Sequence, residues 1–188
     1  MFTITKMRSK REQLLELFFN SPRHWHFEEL RTTVNIGKPQ LARWLRILEQ
    51  EHITKRIKIP GKMPYYLHNF THPAFKNQKR LFAWKKMLDS GLLDHLAVLS
   101  DAKVIIIFGS FTREDWYEDS DIDIFIYGQD QQFEQGKYEL RLGREIQVHT
   151  SRNPEELQKI NNLLPYIIEG DFVKGSFQDL KVGLHAQT

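Results

Sequence analysis

The spacing of apolar residues changes period partway along this chain, and that change divides it. From Ser9 to Asn20, Leu14, Leu15, Leu17 and Phe18 share one helical face, and Ser21-Pro22 closes the segment. Phe27, Leu30, Arg31 and Val34 fit a short second helix, with Asn35-Ile36-Gly37 as a turn. A third helix is expected from Lys38 to Gln50, where Pro39 is acceptable in the first turn. Its buried stripe is Leu41, Leu45 and Leu48 with Trp44, which leaves Gln40, Arg43 and Arg46 on the other side. Ile53 to Ile59 and Tyr65 to His68 read as two strands around the turn-rich tip Pro60-Gly61-Lys62-Met63-Pro64. Helical spacing returns from Pro73 to Asp89, through Phe75, Leu81, Phe82, Trp84 and Leu88. It continues from Gly91 to Ser100, through Leu92, Leu93, Leu96 and Leu99, and both segments are read as packing helices.

Beyond residue 100 the period shortens to two. The apolar run Val104 to Phe108 stops at Gly109-Ser110, an acidic loop follows, and Asp121 to Ile126 alternates. In a strand, Asp121 and Asp123 would share one face, about 7 Å apart by Cα, with Ile122, Ile124 and Ile126 on the other. A helix is expected from Asp130 to Leu142, and a strand from Arg144 to His149 after Gly143. A helix from Pro154 to Glu169 follows, through Leu157, Ile160, Leu163 or Leu164, and Ile167, and then a last strand within Asp171 to Val182. The pattern predicts an α/β (α+β) protein: helices and a hairpin first, then a mixed sheet flanked by helices.

Charge supports the division. The chain of 188 residues has a net charge of +3, yet residues 1–69 hold 13 Lys and Arg against 6 Asp and Glu, and residues 70–188 hold 14 against 18. A basic part joined to an acidic part indicates two domains with different partners. The expected organisation is residues 1–69, a helical connector over 70–100, and residues 101–188. With no cysteine there are neither disulfides nor thiolate metal sites. No apolar run approaches the roughly 20 residues of a membrane span, and the opening MFTITKMRSKREQ has no apolar leader core. A cytoplasmic protein with no membrane partner is expected. His24-Trp25-His26 lacks the neighbours of a metal site and is read as a loop anchoring the second helix.

Three helices followed by a basic hairpin resemble a winged helix-turn-helix DNA-binding domain over residues 8–68. The resemblance implies that the third helix enters the major groove of double-stranded DNA while the hairpin reaches flanking phosphates. Lys38, Gln40, Arg43 and Arg46 are then the helix candidates, with Arg56, Lys58 and Lys62 on the wing. Such domains often pair, so a homodimer is among the expected partners.

Gly109-Ser110, ten residues, then Asp121-Ile122-Asp123 between apolar strands resembles the nucleotidyltransferase domain of the DNA polymerase beta superfamily. The nearest likeness is to its minimal and kanamycin-type members, over residues 95–182. A strand ending in Gly-Ser, a fixed gap and a strand bearing Asp-x-Asp must coincide, which makes the match specific. The resemblance implies that Gly109 lets a nucleoside triphosphate approach the backbone and that Ser110 hydrogen-bonds its oxygens. Backbone N–H groups of the following turn would add to the anion site. Arg113 would neutralise phosphate charge or pair with Glu114 or Asp115. Asp121 and Asp123 would hold two Mg²⁺ ions, with Mn²⁺ as a substitute, while an acceptor hydroxyl attacks the α-phosphorus.

The family adds a third carboxylate from a neighbouring strand, and here the matching position is Gln147. An amide is a poor Mg²⁺ ligand and a weak base. Glu145 is the catalytic candidate that would replace it if the strand slides, and His149 falls on the same face. Two readings follow. One is an Mg²⁺-dependent nucleotidyltransferase moving a nucleoside monophosphate to a hydroxyl acceptor, with DNA bound through the first domain. The other is a degenerate site in a DNA-binding regulator, or in an antitoxin-like protein that docks a partner or toxin.

Overall fold

A computed structural model describes residues 9–180; residues 1–8 and 181–188, with the expected strand end at Val182, lie outside them. The chain forms two compact units, Met1–Lys79 and Arg80–Thr188.

The first unit begins with α1 (Lys10–Asn20), capped by Ser9, whose side chain accepts from the Glu12 N–H while Glu12 reaches back to the Ser9 backbone. Leu14, Leu15, Phe18 and Phe19 are its buried positions, so Phe19 rather than Leu17 completes the face. β1 (Trp25–His26) leads directly into α2 (Phe27–Val34), and α3 (Lys38–Gln50) follows a turn in which Asn35 takes a left-handed conformation. Leu41, Leu45 and Leu48 of α3 are buried with Leu30, Val34 and Ile53, and Trp44 is half-buried. β2 (Thr54–Ile57) and β3 (Tyr65–His68) form the hairpin.

The sheet is antiparallel in the order β1-β3-β2, with Trp25 opposite Tyr66. His24-Trp25-His26 is therefore not simply a loop. Trp25 and His26 pair with the hairpin's return strand, and His26 Nδ1 lies 3.2 Å from the Pro64 carbonyl oxygen, so long-range pairing overrode the local pattern.

The boundary between units falls within α4 (Pro73–Ser90). In the second unit, Phe82, Ala83 and Met87 of α4 are buried, whereas Leu81 and Leu88 are exposed, so the buried stripe is rotated from the expected one. After α5 (Leu92–Ala97), the elements are β4 (Ala102–Phe108), α6 (Ser110–Arg113), β5 (Ile122–Gly128), α7 (Gln135–Leu142) and β6 (Ile146–Ser151). Then come α8 (Pro154–Lys159), α9 (Leu164–Ile168), β7 (Asp171–Lys174) and a short 3-10 turn, Phe177–Leu180.

The sheet order is β6-β5-β4-β7, with β5 and β6 parallel and the other pairs antiparallel. This is the mixed sheet flanked by helices that the pattern predicted. One face, Val104, Ile106, Phe108, Phe125 and Tyr127, packs with Leu157, Ile167 and Leu180. Ile106 is fully buried there, and Ile106→Ala should cost about 2–5 kcal/mol, read as a lower urea midpoint of the second unit.

Several sequence boundaries move, three of them for identifiable reasons. The helix expected from Asp130 starts at Gln135, because tertiary contacts hold the preceding turn: Asp130 accepts from the Thr150 hydroxyl, and Phe133 stacks on Tyr138. The helix expected over Pro154–Glu169 is two short ones, since Pro165 has no N–H to continue a ladder. The last strand stops at Lys174, before Gly175 at positive φ. Among the described residues, no helix is long and apolar enough to cross a membrane.

Candidate active site

Three strands place the site at one end of the second sheet. In register, Phe108 at the end of β4 lies opposite Asp123 of β5, and Asp123 lies beside Gln147 of β6. Antiparallel β4–β5 and parallel β5–β6 pairing thus bring Gly109, the two aspartates and the start of β6 to the same edge.

Gly109 has φ 76° and ψ −144°, a conformation open in practice only to glycine. A Cβ placed there would lie 2.2 Å from Asp123 Oδ2 and 3.1 Å from its Cγ. The missing side chain makes room for the Asp123 carboxylate as well as for any ligand. Ser110 opens α6, and Arg113 closes it, exposed, with Nε 3.4 Å from Asp115 Oδ2.

Asp121 stands just before β5, half-buried, and Asp123 is half-buried on the strand. Burial raises the Asp123 pKa above the ordinary carboxylate range. His149 opposes that shift, the Asp121 charge adds to it, and Arg113 opposes it. His149 Nε2 is 3.9 Å from Asp123 Oδ1, and its ring lies 5.5 Å from that of Phe108. Gln147 occupies the third position: its Nε2 donates to Asp121 Oδ2 at 2.6 Å.

Glu145 does not join the aspartates. β6 begins at Ile146, one residue beyond it, and Glu145 is exposed beside an open cleft bordered by Gly136, Glu139, Leu140 and Gly143. Its backbone carbonyl accepts from Ile122 N–H at 3.0 Å, in the register that puts Gln147, not Glu145, beside Asp123. Among the described residues, no three His, Cys, Asp or Glu side chains converge as metal ligands. Two neighbouring carboxylates have the hard oxygen donors that suit a divalent cation.

Two arginines around the site carried no sequence signal. Arg80 pairs with Asp171 and lies 3.8 Å from Glu114. Arg144, expected only as a strand residue, reaches the loop before Asp121. Neither partnership has a fixed spacing, so only the folded chain exposes it.

In the first unit, Gln40, Arg43 and Arg46 are exposed on α3, as are Arg56, Lys58 and Lys62 on and beyond β2. Lys38 is exposed too, but pairs with Glu28 at 3.1 Å. Arg43, Arg46, Arg56, Lys58 and Lys62 have no acidic partner among the described residues.

Residues 93–175, which contain all four strands of the second sheet, match a family model described as "Polymerase beta, Nucleotidyltransferase". Comparison with curated proteins and with solved structures returned no match.

Proposed function

We propose that the second unit binds a nucleoside triphosphate with Mg²⁺ and transfers its nucleoside monophosphate to a hydroxyl acceptor, and that the first unit is a winged helix that binds double-stranded DNA. The observation that carries the reading is the packing of Asp123 against Gly109, with Asp121 on the same face, on a sheet that matches the nucleotidyltransferase model.

Asp121 and Asp123 are the residues that would hold a divalent cation, which when bound supplies charge neutralisation to the phosphates. Gly109 leaves the backbone open beside them, and Arg113 adds positive charge at the rim. The acceptor oxygen forms a bond to the α-phosphorus as the α–β bridge breaks, and pyrophosphate leaves with the bonding electrons. Removing the acceptor proton is the step for which the site is least equipped. Gln147 stands where a base would be expected and instead donates to Asp121.

That hydrogen bond favours a second reading, a degenerate site that binds nucleotide without transferring it, in a DNA-binding regulator or antitoxin-like protein. Incubation with each labelled NTP, Mg²⁺ or Mn²⁺ and candidate acceptors separates the two. Label transferred by the wild type and not by Asp123→Asn supports the enzyme. Nucleotide bound without transfer supports the regulator, and the absence of both sinks the two together.

For the first unit, Arg43→Ala with Arg46→Ala should weaken duplex binding. The slope of log K against log salt should become shallower by roughly 0.9 for each phosphate that is no longer neutralised. An unchanged slope and affinity would remove α3 from the interface.

A further inference from the structure

Asp121 precedes β5 and stands outside its paired residues, so its place depends on the loop before it. That loop turns at Tyr117–Ser120, where Ser120 N–H donates to the Tyr117 carbonyl at 3.1 Å and Tyr117 N–H to Ser120 Oγ at 2.8 Å. One side chain from the segment leading into β6 gathers it. Arg144 Nη1 lies 2.6 Å from the Tyr117 carbonyl oxygen, 2.7 Å from that of Glu118 and 2.9 Å from that of Ser120. Three acceptors exceed the two hydrogens of that nitrogen, so at least one bond is shared. Carbonyl oxygens that converge in this way repel one another unless a cation sits among them.

The same guanidinium lies 5.1 Å from the Trp116 ring and 5.3 Å from the Phe111 ring, which stack on each other at 5.2 Å and 2°. Phe111 follows Ser110 directly, and Trp116 is buried. Arg144 therefore touches both flanks of the site: the turn after Gly109-Ser110 and the loop that delivers Asp121. Farther along the same segment, the Glu145 carbonyl accepts from Ile122 N–H and Gln147 donates to Asp121.

We propose that Arg144 is the positioning residue of this site: its clamp on the 117–120 carbonyls, rather than contact with a ligand, holds the Asp121 carboxylate where a cation-bound nucleotide would need it. The functional half of this inference rests on the nucleotide-binding reading above. Lysine should not replace it, since an ammonium has no planar face for the Phe111–Trp116 stack and no fixed fork for several carbonyls.

The test uses the full chain with Arg144→Lys and Arg144→Ala. Two readouts are taken: amide hydrogen exchange, and titration with Mn²⁺ plus a non-hydrolysable ATP analogue followed by electron paramagnetic resonance. In Arg144→Lys, exchange at residues 117–122 should accelerate about tenfold or more while β4 keeps its protection. Affinity for the Mn²⁺–nucleotide pair should fall by a similar factor. Added guanidinium ion should restore both in Arg144→Ala. Unchanged exchange in the loop overturns the proposal. So does full affinity in a folded variant with a loosened loop, or uniform loss of protection that guanidinium does not reverse, which would mark a stability role only. Absence of Mn²⁺-dependent nucleotide binding by the wild type would sink the nucleotide-binding reading together with the functional half. Full wild-type binding retained by Arg144→Lys sinks this inference alone.

Discussion

Replacing Gly109 with alanine is expected to abolish nucleotide binding and to destabilise the second unit at the same time. The backbone at Gly109 carries φ 76° and ψ −144°, where an L side chain adds about 1–3 kcal/mol of strain before any contact is considered. The new Cβ would then meet Asp123 Oδ2 at 2.2 Å, well inside contact distance, so either the carboxylate swings away or the end of β4 shifts. Either movement separates Asp121 and Asp123 from the arrangement that suits a cation. Amide hydrogen exchange of β4 under increasing urea, with nucleotide titration alongside, should show both losses. Gly136 provides the control. It lies in α7 with nothing within 4 Å of its Cβ position, so Gly136→Ala should be neutral or stabilising by about 0.5–1 kcal/mol. Equal effects at the two glycines would remove the steric argument.

Asp123→Asn should separate stability from function in opposite directions. The carboxylate is half-buried and its pKa is raised, chiefly by that burial. A carboxyl whose folded pKa lies above its unfolded value favours the fold most at low pH. That contribution is lost as pH rises through the folded pKa, so at neutral pH the ionised Asp123 is a cost to the apo protein. Asparagine removes the charge while roughly keeping the shape. The variant should therefore melt higher than the wild type near pH 7, with the difference vanishing as pH falls below the ordinary carboxylate range. Cation-dependent nucleotide binding, and any transfer, should fall on the order of a hundredfold or more if Asp123 is one of the two carboxylates that hold the cation, as proposed above. A thermal melt across pH and a Mn²⁺ titration measure the two effects. Lower stability at neutral pH together with intact cation binding would place Asp123 in the scaffold and not in the site.

Much of this architecture is legible in the residue order, for a local reason. Leu41, Leu45 and Leu48 repeat at helical spacing and are buried as expected, because amphipathic spacing is a property of the helix itself. Asp121-Ile122-Asp123 alternates because side chains alternate on any strand, and the strand begins within that tripeptide. Errors gathered where long-range contacts decide the outcome. Trp25 and His26 became a strand through Tyr65 and Tyr66, which lie far along the chain. Leu81 and Leu88 have helical spacing, yet which face of α4 is covered depends on what packs against it.

The candidate site divides the same way. Residue type and spacing singled out Gly109, Ser110, Asp121 and Asp123 as one group of candidates, and the family resemblance made Gln147 the match for a third carboxylate. Strand alternation and a turn after an apolar run require no distant partner. Only the tertiary structure decided the rest: that Gly109 is bare because Asp123 fills its Cβ space, that Glu145 is exposed ahead of β6, that Gln147 is bonded to Asp121, and that Arg144 hydrogen-bonds the intervening loop. The first depends on the register between β4 and β5, where Phe108 lies opposite Asp123, and the others on that between β5 and β6, where Ile122 pairs with Ile146. Gln147 and Glu145 share one face of an ideal strand and a slide of two residues would exchange them, so local sequence could name both candidates but not choose between them.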